Sequence, residues 1–368
     1  MTRVVLAAVG NPLAAGTWSG SPPGVARGLR ERGVEPVGVD ATPPAPLRQL
    51  GLAAAAARRS RVDAWYTPAQ HALRDRIAAR RLRRVGPVDG VVLMGAEFGL
   101  PAGTRYVTLS DLTLRQARAN HPVFARLSEP VFAAWDRRQH AIYEQALACC
   151  AASHWTAASL RDDYGLAADK VRVVGLGPNH EPPPHSPAWS PARFLFVGRE
   201  WERKRGPAVI EAFEQLSSEL PDARLDVVGE HPPLHVPGVV GHGPLRLGEP
   251  EEAERVARLF AAATCFVLPS EVEPFGIAYV EAATAGLPSI ATAVGGAGTV
   301  VTEESGIRVA PRDQGALVEA MRRLANPDTA RSMGEAARRR AALFRWDVVA
   351  VRLLRALGLP GAETADFL

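Results

Sequence analysis

Short apolar runs of strand length alternate with longer stretches of helical periodicity from the first residues onward. Val4–Val9, Pro36–Val39, Val88–Met94, Arg105–Leu109 and Val171–Val174 read as strands, with helices at about 22–32, 70–84, 129–147 and 155–164 between them. An alanine-rich tract over 52–59 reads as a further helix. Strands alternating with helices predict a parallel sheet covered on both faces. Residues 178–191 then carry six prolines in fourteen positions, which excludes a helix interior or a central strand and predicts a stiff linker over about 181–192. Beyond it the alternation restarts. Arg193–Val197, Leu225–Val228, Cys265–Leu268 and Ser289–Thr292 read as strands; Pro207–Leu216, Glu251–Ala262 and Phe275–Ala285 read as helices. Helices at about 313–325, 328–342 and 346–357 finish the chain. The pattern predicts two α/β domains, 1–180 and 193–345, with the last helix, about 346–368, free to pack back on the first.

Composition agrees with two cores: 368 residues, 47% hydrophobic. No apolar run reaches the roughly 18 residues of a membrane span. The N-terminus reads as a first strand rather than a leader, and the three cysteines, Cys149, Cys150 and Cys265, have neither disulfide nor zinc spacing, so a cytoplasmic location is expected. The net charge of +4 is scattered, and no basic–aromatic interleaving marks a nucleic-acid surface. The densest basic run, Arg74 to Arg84, reads as a solvated amphipathic helix or as a weak electrostatic contact with anionic lipid or an acidic partner. Of 43 basic residues only Lys170 and Lys204 are lysines, so a lysine in this chain stands out.

The familiar nucleotide loops are absent. The first strand is followed by Gly10-Asn-Pro-Leu-Ala-Ala-Gly16, no Gly-x-x-x-x-Gly-Lys-Ser/Thr occurs, and Gly295-Gly296-Ala297-Gly298 lacks the dinucleotide spacing. No Asp-x-Asp pair suggests a metal clamp, so neither metal nor cofactor is expected. Two places remain. Arg199 and Lys204 emerge after the strand ending at Gly198, where an anion would bind beyond a carboxyl end. A solvated loop pairing to Glu200 and Glu202 is the alternative. Glu273 and Glu281 bracket the start of the Phe275–Ala285 helix; free helix N–H groups bind anions, and carboxylates bind sugar hydroxyls. Here the alternatives are a neighbour of a helix cap and a surface helix residue.

Taken in order, Gly198-Arg199 with Lys204, Val228-Gly229, Glu273-Pro-Phe-Gly-x4-Glu281 and Gly286-Leu-Pro-Ser-Ile-Ala-Thr-x-Val-Gly-Gly296 resemble the retaining GT-B glycosyltransferases of family 4, over about residues 193–345. The resemblance implies two Rossmann-like domains facing across a cleft, the first for an acceptor and the second for a nucleotide-sugar donor linked to UDP, GDP or dTDP. It implies that Arg199 and Lys204 bind the donor diphosphate, that Glu281 holds the ribose and that Glu273 touches the transferred sugar. Backbone groups of Phe275, Gly276 and Ile277 would line phosphate and sugar, and Val240–Leu245 would face the base. In the first half, the loop Thr17–Gly24 resembles the family's glycine loop: Gly20 would approach the donor and Ser21 would cap the next helix. Asp111 stands where relatives carry an acidic or histidine contact to sugar or acceptor, although this chain lacks a His-Asp pair there; His121 and His154 are further candidates. The activity implied is metal-independent transfer of a sugar with retained configuration. The alternatives are a GT-B-fold sugar-nucleotide epimerase, hydrolase or phosphorylase, or a non-catalytic two-domain binding protein.

Overall fold

A computed structural model describes residues 1–45, 47, 61–180, 188–246, 248–360 and 365–368. The helix read over 52–59 and residues 181–187 of the proline-rich segment lie outside the described residues. The chain divides into two compact units: Met1–Leu176 with Trp346–Leu368, and Gly177–Arg345.

Unit 1 holds a six-stranded parallel sheet of order β2-β1-β3-β4-β5-β6. Its strands are β1 (Arg3–Ala8), β2 (Glu35–Asp40), β3 (Gly90–Met94), β4 (Tyr106–Ser110), β5 (Ala148–Ala151) and β6 (Val171–Val173). The central strands are buried along their length, as expected where helices cover both faces. Helices α1 (Ser21–Glu31), α2 (Arg61–Trp65), α3 (Pro68–Val85), α4 (Leu114–Asn120), α5 (Glu129–Gln145) and α6 (His154–Asp162) supply that cover.

Unit 2 repeats the plan with order β12-β11-β10-β7-β8-β9. Its strands are β7 (Arg193–Val197), β8 (Arg224–Val228), β9 (Val239–Gly243), β10 (Cys265–Leu268), β11 (Ser289–Thr292) and β12 (Gly306–Val309). Its helices are α7 (Gly206–Leu216), α8 (Pro250–Ala262), α9 (Ile277–Ala285), α10 (Gln314–Leu324) and α11 (Pro327–Ala341). In each sheet the strand order reverses once, between β1 and β3 in unit 1 and between β7 and β10 in unit 2. Such switch points open a crevice beyond the strands' carboxyl ends.

The final helix, α12 (Trp346–Ala356), belongs to unit 1. It packs on α1 at Gly24 and Gly28; a Cβ at Gly28 would lie 2.0 Å from the Trp346 carbonyl oxygen. Arg352 of α12 is buried and donates to the Val174 carbonyl (3.0 Å), and the Leu368 amide donates to the Val173 carbonyl (3.0 Å).

Three strands have no counterpart among the sequence expectations. β5 is Ala-Cys-Cys-Ala, without a β-branched residue, and forms because it closes the gap between β4 and β6 through backbone bonds. β9 and β12 are edge strands containing glycine. Helix α4 was likewise unforeseen; Thr113 and Gln116 form a capping box at its start. The basic run on α3 departs from a solvated helix: Arg74 is buried and Arg81 donates to the Asp40 carbonyl. Among the described residues no helix is long and apolar enough to cross a membrane.

Candidate active site

The loops after β7 and β10 straddle the switch point of unit 2, and they are tied to each other. Glu271 N–H donates to the Arg203 carbonyl (2.9 Å), and Arg203 Nη1 donates to the Val272 carbonyl (3.2 Å). The first loop is wound tightly, with Glu200 at φ 57° and Arg205 at φ 60°, backbone that non-glycine residues seldom adopt. Trp201 fills its inside: the ring packs edge-on against Phe196 (5.5 Å) and occupies the space a Cβ at Gly206 would need. Gly198 and Gly229 bring the ends of β7 and β8 together, since a Cβ at Gly229 would lie 1.9 Å from the Gly198 oxygen.

This winding delivers Lys204 to Glu273. The two side chains are 11% and 9% exposed and form an ion pair, while Ser270 Oγ donates to the same Glu273 oxygen, Oε2 (3.1 Å). Of the alternative partners, Glu200 pairs with Arg203. Arg199 is exposed and has no ion pair or hydrogen bond among the described residues. The backbone of Glu273 is clamped as well. Gly296 N–H donates to the Glu273 carbonyl (2.7 Å), and Gly295, at φ 95°, lies so close that a Cβ would sit 2.3 Å from that oxygen. The Gly295-Gly296 pair is therefore a backbone clamp on Glu273.

Helix α9 starts at Ile277, two residues later than the sequence predicts, because Gly276 caps it in a left-handed conformation (φ 88°). Glycine is required there: a Cβ would lie 2.3 Å from the Tyr279 ring, whose hydroxyl donates to the Leu268 carbonyl (2.6 Å) and binds α9 to β10. Phe275 turns inward and packs against Phe344 (5.8 Å), so only its backbone faces the loop. Glu281, in the second turn, is buried at 5% exposure and is not a surface residue. Its Oε1 accepts from the Asn179 N–H (3.1 Å) and lies 3.1 Å from His180 Nδ1, off the line of a hydrogen bond. The His180 ring rests on Phe260 (5.2 Å). Sequence reading passed over His180 because it stands inside the proline-rich run. Unit 2 thus gathers Gly198, Lys204, Glu273, Gly276, Ile277 and Glu281 on the loops and helix that leave the strand ends. Val240 is placed apart, exposed in the edge strand β9 three residues before its carboxyl end at Gly243.

Gly20 and Asp111 lie in unit 1, each beyond the carboxyl end of a strand. Gly20 (φ 92°) is itself the residue that caps α1, whereas Ser21 is the first helical residue and makes no capping bond. Trp18 (φ 48°) and Ser19 (φ 53°) precede it in the same left-handed region. Asp111 is half-buried, and its carbonyl accepts from the Thr156 hydroxyl. His121 stacks edge-on with Phe124 (5.4 Å), and His154 is an exposed first residue of α6.

Known proteins share parts of this sequence and the fold. Residues 191–327 match the family model described as glycosyl transferases group 1. A D-inositol 3-phosphate glycosyltransferase of Nocardioides is 34% identical over 185 residues, which is 44% of this chain and 40% of that protein. A glycogen synthase of Mycobacterium tuberculosis is 34% identical over 180 residues, 45% of this chain and 42% of that protein. The matched stretch thus spans less than half the length of either relative. Among solved structures, sucrose-phosphate synthase of Thermosynechococcus elongatus superposes with a TM-score of 0.69 at 21% identity, over 96% of this chain and 98% of that one. WaaG, a glycosyltransferase involved in lipopolysaccharide biosynthesis, superposes with a TM-score of 0.66 at 19% identity, over 98% and 100% of the two chains. Residues 191–327 thus match the glycosyl transferases group 1 family model, in a chain of two Rossmann-like units whose fold is of the GT-B class.

Proposed function

We propose that the protein is a glycosyltransferase that moves a sugar from a nucleoside-diphosphate sugar to an acceptor with retention of configuration. Unit 2 binds the donor and unit 1 the acceptor. The observation that carries the reading is the Lys204–Glu273 pair at the β7/β10 switch point, with the exposed cation Arg199, which has no ion pair among the described residues, on the same loop. Lys204 is neutralised by Glu273, so Arg199 brings the net positive charge to a diphosphate and grips its oxygens bidentately. Lys204 and the first N–H groups of α9 add donors at the phosphate nearer the sugar. Glu273 Oε1 is left to accept from sugar hydroxyls, and Glu281 Oε2 from a ribose hydroxyl.

The reaction asks mainly for electrostatic help. The bond from the anomeric carbon to the phosphate oxygen breaks, and the acceptor hydroxyl oxygen bonds to that carbon from the same face. The acceptor's proton passes to the departing phosphate oxygen. Arg199 and Lys204 stabilise the charge that grows on the leaving diphosphate, and no protein nucleophile or metal is called for.

Calorimetry with UDP, GDP and dTDP tests the reading. One of the three binds the wild-type protein, and Glu281→Gln weakens it by about 10-fold or more, the loss for a hydrogen bond to a charged group. Equal affinity in wild type and Glu281→Gln removes Glu281 from the ribose site. No binding of any of the three sinks the donor assignment.

A further inference from the structure

One edge of the unit 1 sheet is covered by a short segment of the chain itself. β6 is the edge strand there. The Val174 N–H just beyond it donates to the Ala151 carbonyl of β5 (2.9 Å), so the preceding Val173 turns its carbonyl to the open side. An open strand edge is a row of unmet backbone groups. Two of them are met here. The Leu368 N–H donates to the Val173 carbonyl (3.0 Å), and Arg172 Nη1 donates to the Val171 carbonyl (3.2 Å). Phe367 meets Arg172 and Leu368 meets Val173, so the two residues run alongside β6 as a peptide added to a sheet edge does.

Every residue of Ala365–Leu368 has a contact on α12 or β6. The Ala365 carbonyl accepts from Arg355 Nη1 (3.1 Å), and the Asp366 carbonyl accepts from Arg352 Nε (2.6 Å). Arg352 is 2% exposed and its Nη1 is held by the Val174 carbonyl (3.0 Å), which fixes Nε toward the segment. The Phe367 ring centroid lies 5.3 Å from the Arg172 guanidinium carbon and 5.2 Å from that of Arg355. Leu368 packs on the unit 1 core beside Val171 and Val173. The Asp366 carboxylate pairs with Arg355 (3.0 Å), but it stands in solvent and adds little.

These contacts divide as they do in peptide grooves. Bonds to the segment's carbonyls and N–H hold any extended backbone, while the two guanidiniums over Phe367 and the apolar seat of Leu368 select side chains. Recognition is complete within four residues, and none of it requires the segment to come from the same chain as the groove. We propose that α12 and the edge of β6 form a groove for an extended Asp-aromatic-aliphatic segment. This chain fills it with its own residues 365–368, and the same segment of a second copy enters when the resident one is released. Filling the groove gives Arg352 Nε and the Val173 carbonyl their partners and closes the edge to other strands. The inference is independent of the sugar-transfer reading.

The test uses the full chain. Phe367→Ala combined with Leu368→Pro releases the resident segment, because alanine lacks the ring and proline lacks the N–H that Val173 accepts. A fluorescein-labelled Ala-Asp-Phe-Leu peptide stands for the segment of a second copy, and its binding is followed by fluorescence anisotropy. The double variant is expected to bind this peptide at least about 10-fold more tightly than wild type, whose tethered segment competes at high effective concentration. It binds the control peptide Ala-Asp-Ala-Leu about 10-fold or more weakly than Ala-Asp-Phe-Leu, the loss for a buried aromatic anchor. Adding Arg172→Ala weakens the first peptide several-fold. Should the double variant not fold, Leu368→Pro alone decides. The proposal is overturned if the peptide binds no folded variant, if it binds wild type equally well, or if the control peptide binds as tightly.

Discussion

Replacing Lys204 separates what holds the site together from what drives the chemistry. Lys204 and Glu273 are 11% and 9% exposed, so Lys204→Met leaves a carboxylate buried with only the Ser270 hydroxyl to support it. Removing one partner of a buried pair costs about 3–5 kcal/mol, whereas replacing both with neutral groups is often close to neutral. For a unit of this size each kcal/mol moves the thermal midpoint by about 2–4 °C, so Lys204→Met lowers it by roughly 6–20 °C. Lys204→Met with Glu273→Gln recovers most of that loss, because glutamine keeps the Ser270 bond and needs no counter-charge. Turnover behaves differently. Loss of a group that stabilises the leaving phosphate costs on the order of 10²–10³ in rate, and the double variant does not regain it. The assays are a thermal melt and release of nucleoside diphosphate from the donor at a temperature where all three proteins are folded. The reasoning is refuted if the double variant restores turnover together with stability, since Lys204 would then serve only to neutralise Glu273. It is equally refuted if Lys204→Met melts like wild type.

Three further outcomes follow from the packing. Burial holds His71 at about 4, below the ordinary histidine value near 6.5, despite its bond to the Glu97 carbonyl. The neutral ring is the folded form, so its contribution is complete above about pH 6.5 and is lost as pH falls toward 4, by about 3 kcal/mol. The stability difference between wild type and His71→Asn, measured by urea unfolding, therefore shrinks by that amount across the window; parallel curves contradict it. Gly28→Ala sets a methyl group against the Trp346 carbonyl at 2.0 Å, and should lower the melting midpoint of unit 1 through a loss of roughly 1–3 kcal/mol. An unchanged melt would mean that α12 does not dock on α1 in solution. Gly295→Ala meets the Glu273 oxygen at 2.3 Å at a positive φ, so it should displace Glu273 and depress turnover together with stability; wild-type turnover would show the clamp to be dispensable.

The alternation of strands and helices was readable because buried parallel strands are apolar throughout and helices carry a 3.6-residue stripe. What escaped reading was structure held by neighbours. β5 owes its strand to β4 and β6, and β9 and β12 owe theirs to the sheet edges. The two-residue error at α9 came from Gly276, whose left-handed cap depends on the packing of Tyr279. In the candidate site, order and spacing singled out the glutamates and Lys204, and the fold brings Lys204 and Glu273 together. Their pairing was not legible, because Lys204 and Glu273 are 69 residues apart and meet only through the folded loops. The same holds for His180 beside Glu281, and for the burial of Arg74, which sequence alone presents as part of an arginine-rich helix.

The most direct test of the central claim is to offer the purified protein UDP-, GDP- and dTDP-linked sugars with a panel of small sugars as acceptors. Nucleoside diphosphate and the anomeric configuration of the product are followed by NMR. The account predicts nucleotide release that depends on the acceptor, a product with the donor's configuration, and loss of both in Lys204→Met. Epimerised donor without an acceptor, an inverted product, or turnover undiminished in Lys204→Met would contradict it.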